Sequence, residues 1–599
     1  MTNTLESALS YDIERYEQVL GNYLAGDMDP DQFRIFRLGY GIYGQRQGGD
    51  MQMVRVKLPA GNVTPLQLRA MGKVAQEYSR GWGHVTTRQN FQFHFVKLQD
   101  TPKVLQIFAK AGLTSREACG DTVRNIAGCP FAGYCPSEVI DITPWVEAAF
   151  RTFLRHPYAQ RLPRKFKINF SGCERDCGQG AFNDVGVIAV SRQVDDKTTQ
   201  GRVELGFRVF IGGGLGANPK SAVVLEEFTP PDQLLATIEA VLRTFDHYGN
   251  RDNKVRARMK WLVETMGKDE LLNRILRERK YLVASARYPD IANYDSLIAS
   301  IQNFEPQRTR VSISRPALQT TIEQPNDGYS QWFAKNVYRS TKSGHDNGNE
   351  RFMANITLPL GDITSALFEA LADIGEELGC EIKTTNRQNL VFLGLGRNDL
   401  ERLYDALVAM DLNETGCDLA KDVVSCPGAD TCNLAVTQSR GLSQAISTAL
   451  EKAGLEEVDG VRINISGCTN SCGQHHIADI GLSGAERRAH SKSAPGYQLY
   501  LGGHLDKTGA IFAKKTMRLP AKNAPEAVVF MVDRFSKERI ENESFSDWID
   551  RSGGTQLYAD ELRHLDEFPD PILSPDFYRD FGEDSAYVAE VGEGECAGS

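Results

Sequence analysis

Eight of the twelve cysteines in this 599-residue chain form two groups of one pattern: Cys129, Cys135, Cys173 and Cys177, then Cys426, Cys432, Cys468 and Cys472. Each group reads C-x5-C and, 36 to 38 residues later, C-x3-C. Four thiolates offered from two loops suit a soft metal, either one zinc ion or an iron–sulfur cluster. Structural zinc sites favour C-x2-4-C in both arms, so the wider first arm argues against zinc. A 4Fe-4S cube is larger than a lone ion and needs ligands splayed further apart. The flanking SGC and CGQ put small residues and open backbone amides where inorganic sulfides can be approached. Spacing alone leaves three readings, cluster, zinc and inert thiols, with the cluster favoured. Cys119, Cys380, Cys417 and Cys596 are scattered and read as ordinary buried or tail cysteines.

The two groups belong to a larger duplication. MVRVKLPAG (53–61) is echoed by MANITLPLG (353–361), TTRQNFQFHFV (86–96) by TNRQNLVFLGL (385–395), and FRVFIGGGLG (207–216) by YQLYLGGHLD (498–507), in one order at an offset of about 300 residues. The alternation in MQMVRVKLP, GHVTTRQNFQFHFVKL and FRVFIGG predicts strands. TPLQLRAMGKVAQEYS and TPKVLQIFAKAG predict amphipathic helices. Strand, helix, strand, helix predicts a ferredoxin-like α+β unit opening each half, followed by a larger mixed α/β cofactor-binding unit that carries the cysteines. The expected fold is therefore α+β, a tandem duplication with a pseudo-twofold arrangement. The expected parts are an N-terminal arm (1–50), a ferredoxin-like unit (51–115), an α/β domain (116–300) and a linker (301–345), within which 313–331 is polar and contains proline. A second ferredoxin-like unit (346–412), a second α/β domain (413–553) and an acidic tail that wraps and frays (554–599) complete the chain.

Composition narrows the function classes. With 41% hydrophobic and 24% charged residues this is ordinary globular composition. No run approaches the ~20 apolar residues that cross a bilayer, so no membrane partner is expected. MTNTLESALSYDIERYEQ has no basic stretch followed by an apolar one, so a cytoplasmic location is expected. There thiols stay reduced and clustered cysteines bind metal. A net charge of −10 argues against nucleic acid as a partner.

CPGADTCNLAV (426–436) with SGCTNSCGQHHIADIGLSG (466–484) closely resembles the cluster motif of the siroheme-containing sulfite and nitrite reductases. MVRVKLPAG, TTRQNFQFH and LPRKFK of the first half resemble that family too, over roughly residues 30–550 in all. The resemblance implies a 4Fe-4S cluster on Cys426, Cys432, Cys468 and Cys472, and a siroheme whose iron shares Cys472. It implies Arg88, Asn90 and Gln92 at the siroheme periphery. It also implies Arg55, Arg124, Lys165 and Lys167 as substrate-side cations. The implied reaction is six-electron reduction of sulfite to sulfide, fed by a ferredoxin or flavoprotein, with nitrite reduction to ammonia as the alternative. A lysine at 167 points to sulfite, since nitrite reductases of the family usually carry a neutral amide there. A haem-free carrier of two clusters is the alternative from another class.

Charge distinguishes the two copies. Sliding from the shared landmarks, Arg55 is matched by Asn355, Arg124 by Lys421, Lys165 by Gly460 and Lys167 by Arg462. Only two cations survive, so a mirror-image site is expected to be too poor in positive charge for an anionic haem and an oxyanion. The first quartet is a departure from the better-known assimilatory members, which lack it. A second cluster without a working haem and a relic of duplication both stay open. GGGLGA (212–217) fits a loose dinucleotide pattern, but Pro219 interrupts any helix opening there. His84, His475 and His476 read as structural.

Overall fold

A computed structural model of the chain describes residues 2–196, 199–285, 328–340, 350–506, 508–592 and 594–595. Two ferredoxin-like sheets and two larger mixed sheets account for the landmarks that recur in sequence. In the first ferredoxin-like sheet Ile42–Gly44, Met51–Val56, Phe91–Lys97 and Trp82–Val85 lie side by side. Its fifth strand, Asp362–Thr364, comes from the other half, with Asp362 opposite His84. The loan is returned. Asn62–Val63 of the first half completes the sheet of Val337–Ser340, Arg351–Ile356, Leu390–Leu395 and Glu381–Thr384, with Val63 opposite Ile382. Helices Pro65–Tyr78 and Ser365–Leu378 pack on each other, and one hydrophobic core runs through both units, from Tyr16 to Leu412. The halves are therefore not separable beads.

Each mixed sheet has two parallel pairings and then antiparallel ones. The first runs Ala127–Gly128, Ile168–Ser171, Val185–Asp196, Thr199–Ile211 and Val223–Thr229. The second runs Val424–Ser425, Ile463–Ser466, Ile480–Ala489, Lys492–Leu501 and Lys514–Pro520. Parallel neighbours cannot be joined by a tight turn and need a crossover. The helices Thr143–Phe153 and Ser439–Ala453 are those crossovers. They explain the long gap between the two cysteine pairs of each quartet.

Some assigned parts differ in extent. Most of the 301–345 stretch read as a linker lies outside the described residues. Within it, however, Gly328–Asn336 is helical and Val337–Ser340 is the edge strand of the second ferredoxin-like sheet. The 1–50 arm holds helices Thr2–Leu24 and Pro30–Leu38 and the edge strand Ile42–Gly44. Residues 554–599 open with helix Thr555–Glu561, whose Tyr558 belongs to the second α/β core. The segment then lies over the loop after Cys432: Gly592 N–H donates to Asn433 O at 2.9 Å and the Tyr587 hydroxyl to Val436 O at 2.9 Å. Glu595 closes the wrap by pairing with Arg37.

Candidate active site

The thiols meet because of where parallel strands end. Cys129 and Cys426 directly follow strands Ala127–Gly128 and Val424–Ser425; Cys173 and Cys468 follow the neighbouring strands Ile168–Ser171 and Ile463–Ser466 by two residues. Adjacent strands lie about 4.8 Å apart, so their C-terminal ends deliver both cysteine pairs to one place. In the second quartet burial and then the neighbouring Cys472 push Cys432 up to about 11, and the same two causes raise Cys426 and Cys468. Thiols so placed ionise only with a metal charge to hold them. Cys472 itself is exposed, at the open face of the group. A cluster that brings its own bridging sulfides suits four thiols delivered from two loops.

Opposite that face stands the TTRQN turn of the first half. The Thr87 hydroxyl donates to Cys472 O at 2.9 Å, and Gln474 Nε2 donates to Gln179 Oε1 at 2.8 Å across the pseudo-axis. One residue on, Arg88 Nη1 donates to Asn169 Oδ1 at 2.8 Å and its Nη2 to Asn125 O at 2.6 Å. Arg55 donates to Ala118 O at 3.3 Å, stacks over the Tyr43 ring, and, with the Gln92 amide turned so that its oxygen faces the guanidinium, donates from Nε to that oxygen at 3.0 Å. Arg124 shares Ala118 O at 3.1 Å and reaches the Tyr43 hydroxyl at 3.4 Å. Lys165 and Lys167 stand close enough to repel each other, and Lys167 also feels Arg88 and Arg258.

The structure thus gathers Arg55, Arg88, Arg124, Lys165 and Lys167 into one cationic group, against which a single carboxylate stands out. Asp184 accepts the Lys167 backbone N–H at 3.0 Å and pairs with Arg258 at 2.9 Å. The group is electrostatically overloaded. Burial, then Arg124, Arg258 and Arg55, pull Arg88 down to about 9 against the opposing pull of Asp184. Burial and the same kind of crowding push Lys167 well down. Arg88 Nε and Asn90 Oδ1 are buried with no hydrogen-bond partner. A recess with surplus cations and an orphaned guanidinium N–H suits an anion.

The mirror position shows what the same parts look like when satisfied. Asn386, the repeat partner of Thr87, donates to Cys177 O at 2.7 Å. Arg387, the partner of Arg88, is held by Asp422 at 3.0 Å and Asp418 at 3.2 Å, which raise its pKa where that of Arg88 falls. Arg462 pairs with Asp479 at 2.9 Å and Lys421 with Glu414 at 3.4 Å. The mirror recess is neutralised.

The remaining candidates have structural occupations. His84 joins Asp362 at 3.1 Å and Gln388 at 3.1 Å, a clamp between halves. His475 meets Ser466 Oγ at 2.9 Å, and His476 meets Gly216 O at 3.0 Å. After GGGLGA the chain turns back through a Gly214–Lys220 bridge rather than into a helix. Cys119 lies 4.0 Å from Arg55, so this scattered cysteine borders the cationic group. Sequence reasoning also missed Arg258, Lys260, Asp184 and Tyr43. Asp184 is the repeat partner of Asp479, but only the ion pair that folding creates reveals Arg258.

Fold and thiol arrangement together define a duplicated α+β iron–sulfur protein. A model of the "Nitrite and sulphite reductase 4Fe-4S domain" matches residues 119–281 and 418–563, more than half the chain, and one of the "Nitrite/Sulfite reductase ferredoxin-like half domain" matches 43–111 and 345–410. The chain belongs to the nitrite and sulphite reductase family. It is 28% identical to an assimilatory ferredoxin-dependent nitrite reductase of Haloferax mediterranei, covering 86% of this chain and 84% of that one. It is 26% identical to a ferredoxin sulfite reductase of Mycobacterium tuberculosis, over 90% and 92% of the two chains. A solved structure of the Mycobacterium tuberculosis NirA protein is similar with a TM-score of 0.71 and 26% identity, over 90% of this chain and 92% of that one.

Proposed function

We propose that the protein reduces sulfite to sulfide with six electrons from a separate ferredoxin or flavoprotein. The observation that carries the reading is the difference in charge between the two recesses: Arg88, crowded by Arg124, Arg258 and Arg55, directly follows Thr87, whose hydroxyl meets Cys472 O, while Arg387 is neutralised by two aspartates. The orphaned Arg88 Nε–H and the surrounding cations suit the carboxylates of a siroheme. Bound there beside a 4Fe-4S cluster on Cys426, Cys432, Cys468 and Cys472, a siroheme supplies an iron for the substrate's sulfur and a conducting macrocycle.

The chain's own residues supply the rest. Arg55 and Arg124, fixed on Ala118 O, present positive charge to the substrate oxygens. Lys167 holds a proton that is easily given up, because burial and then the neighbouring Arg88 weaken its grip, and Lys165 adds positive charge beside it. A departing oxide collects such protons and leaves as water. Thr87 fixes the distance between this group and Cys472. Gln92 keeps Arg55 oriented.

Nitrite reduction to ammonia is the second reading, supported by the identity to the Haloferax mediterranei enzyme; Lys167 favours the more highly charged sulfite. Turnover on both anions with reduced methyl viologen decides, and a higher kcat/KM on nitrite sinks the first reading. Among the described residues no helix is long and apolar enough to cross a membrane. The proposed location is the cytoplasm, where the quartet stays reduced.

A further inference from the structure

The first quartet has no part in the site just assigned, yet its scaffold repeats three backbone-anchoring bonds of the second. Cys129 N–H donates to Phe170 O at 3.1 Å and Cys426 N–H to Ile465 O at 3.2 Å. Val139 and Val436 each reach the carbonyl of their SGC glycine, Gly172 or Gly467, at 2.7 Å. Asn169 and Asn464 hold Gly178 O and Gly473 O at 2.6 and 2.8 Å. Neither of those glycines admits a side chain, since a Cβ would lie 1.9 Å from the oxygen of Phe170 or Ile465. The four thiols converge as well, Cys129 beside Cys177 and Cys135 beside Cys173.

What differs is the surroundings, and the differences are those of a sealed metal centre. Cys129, Cys135 and Cys173 are buried, whereas their counterparts in the second quartet are only half-buried. Lys383 is fully buried against the C-x5-C loop, donating to Ala132 O at 2.9 Å and to Thr143 Oγ1 at 3.3 Å, and forms no ion pair among the described residues. Glu138 binds the other side of that loop through Gly133 N–H at 2.8 Å. A buried ammonium on neutral acceptors is expensive. A 4Fe-4S cluster in its four thiolates carries about two negative charges and supplies the missing counter-charge. Arg175, beside Cys173, adds positive charge at the opposite arm.

We propose that Cys129, Cys135, Cys173 and Cys177 hold a second 4Fe-4S cluster, one with no porphyrin beside it. The recess facing Cys177 is closed to a polycarboxylate because Asp418 and Asp422 already occupy Arg387. The inference does not depend on the substrate or on siroheme.

The test is a count on wild-type protein purified without oxygen, expressed per chain so that it stands whether or not a tetrapyrrole is present. About eight acid-labile sulfides per chain are expected, against about four for a single cluster. Replacing Cys135 and Cys173 together by serine should halve the count while any tetrapyrrole absorption persists. About four sulfides in the wild type overturn the proposal, and so does stoichiometric zinc. A double variant that keeps the full sulfide count overturns it too. Since the wild-type count needs no variant to fold, the answer does not rest on the serine protein alone.

Discussion

Replacing Arg55 by asparagine writes into the first half what the repeat already carries at Asn355, and so measures what one cation is worth. Arg55 rests on neutral acceptors, Ala118 O at 3.3 Å and the Gln92 amide at 3.0 Å, with no ion pair among the described residues to mute its charge. A unit charge about 5 Å from an anion is worth about 3 kcal/mol at an effective dielectric near 20. Arg55 is half-buried, and solvent screening brings this to about 2 kcal/mol. The expected outcome is a loss of about 30-fold in kcat/KM for sulfite, measured with reduced methyl viologen on protein whose cofactor absorption matches the wild type. Arg55→Lys keeps the charge but not the fork, and should recover most of the loss. The converse control is Asn355→Ala, which should leave kcat/KM unchanged. If Arg55→Asn loses less than about threefold with cofactors intact, or if lysine rescues nothing, the electrostatic assignment is wrong.

Other outcomes follow from the same geometry. Thr87→Val removes the hydroxyl on Cys472 O, a contact worth about 1 kcal/mol, and should slow turnover about fivefold, whereas Asn386→Leu at the mirror contact should not slow it. Burial, then Arg258, holds Lys260 down to about 8, and Lys167 is lowered in the same direction. Because anions bind the protonated amines, sulfite affinity should weaken as pH rises and the lowered Lys167 gives up its proton, and titration calorimetry in two buffers should show proton uptake on binding. The ligand-free fold responds oppositely: between the lowered Lys260 value and the ordinary lysine pKa the unfolded chain binds more protons, so stability rises with pH there. Glu595→Gln leaves the nearly buried Arg37 without its carboxylate at a penalty of about 3 kcal/mol. Limited proteolysis should then cut the tail about 100-fold faster, and the cluster on Cys426, Cys432, Cys468 and Cys472 should bleach sooner in air.

The quartets and the repeat were legible because they are local: fixed spacings, fixed phrases, β-strand alternation. The crossovers behind the long gap were not, since the parallel pairing that demands them shows only in the folded sheet. Nor were the exchanged strands. Asn62–Val63 and Asp362–Thr364 are two and three residues long, too short for any periodicity, and exist only because the partner sheet offers an open edge. Residues 328–340 read as linker because a nine-residue helix and an edge strand carry little pattern without the core they join. Charge counting found the depletion of the mirror recess through Asn355 and Gly460. It missed the larger cause, the carboxylates of Asp418, Asp422 and Asp479, because pairing partners such as Arg387 and Asp422 share no motif. The same blindness hid Arg258 and Asp184. The tail's hold on the Cys432 loop runs through main-chain carbonyls of Asn433 and Val436, which no side-chain pattern announces.

The most direct test of the asymmetry between the two recesses is the visible spectrum of two matched variants, Cys472→Ser and Cys177→Ser, with and without sulfite. Wild-type protein should show tetrapyrrole bands that shift when sulfite is added. Cys472→Ser should abolish that response and Cys177→Ser should preserve it. Bands that survive loss of Cys472 but disappear with Cys177, or no tetrapyrrole absorption in any of the three, would contradict the account.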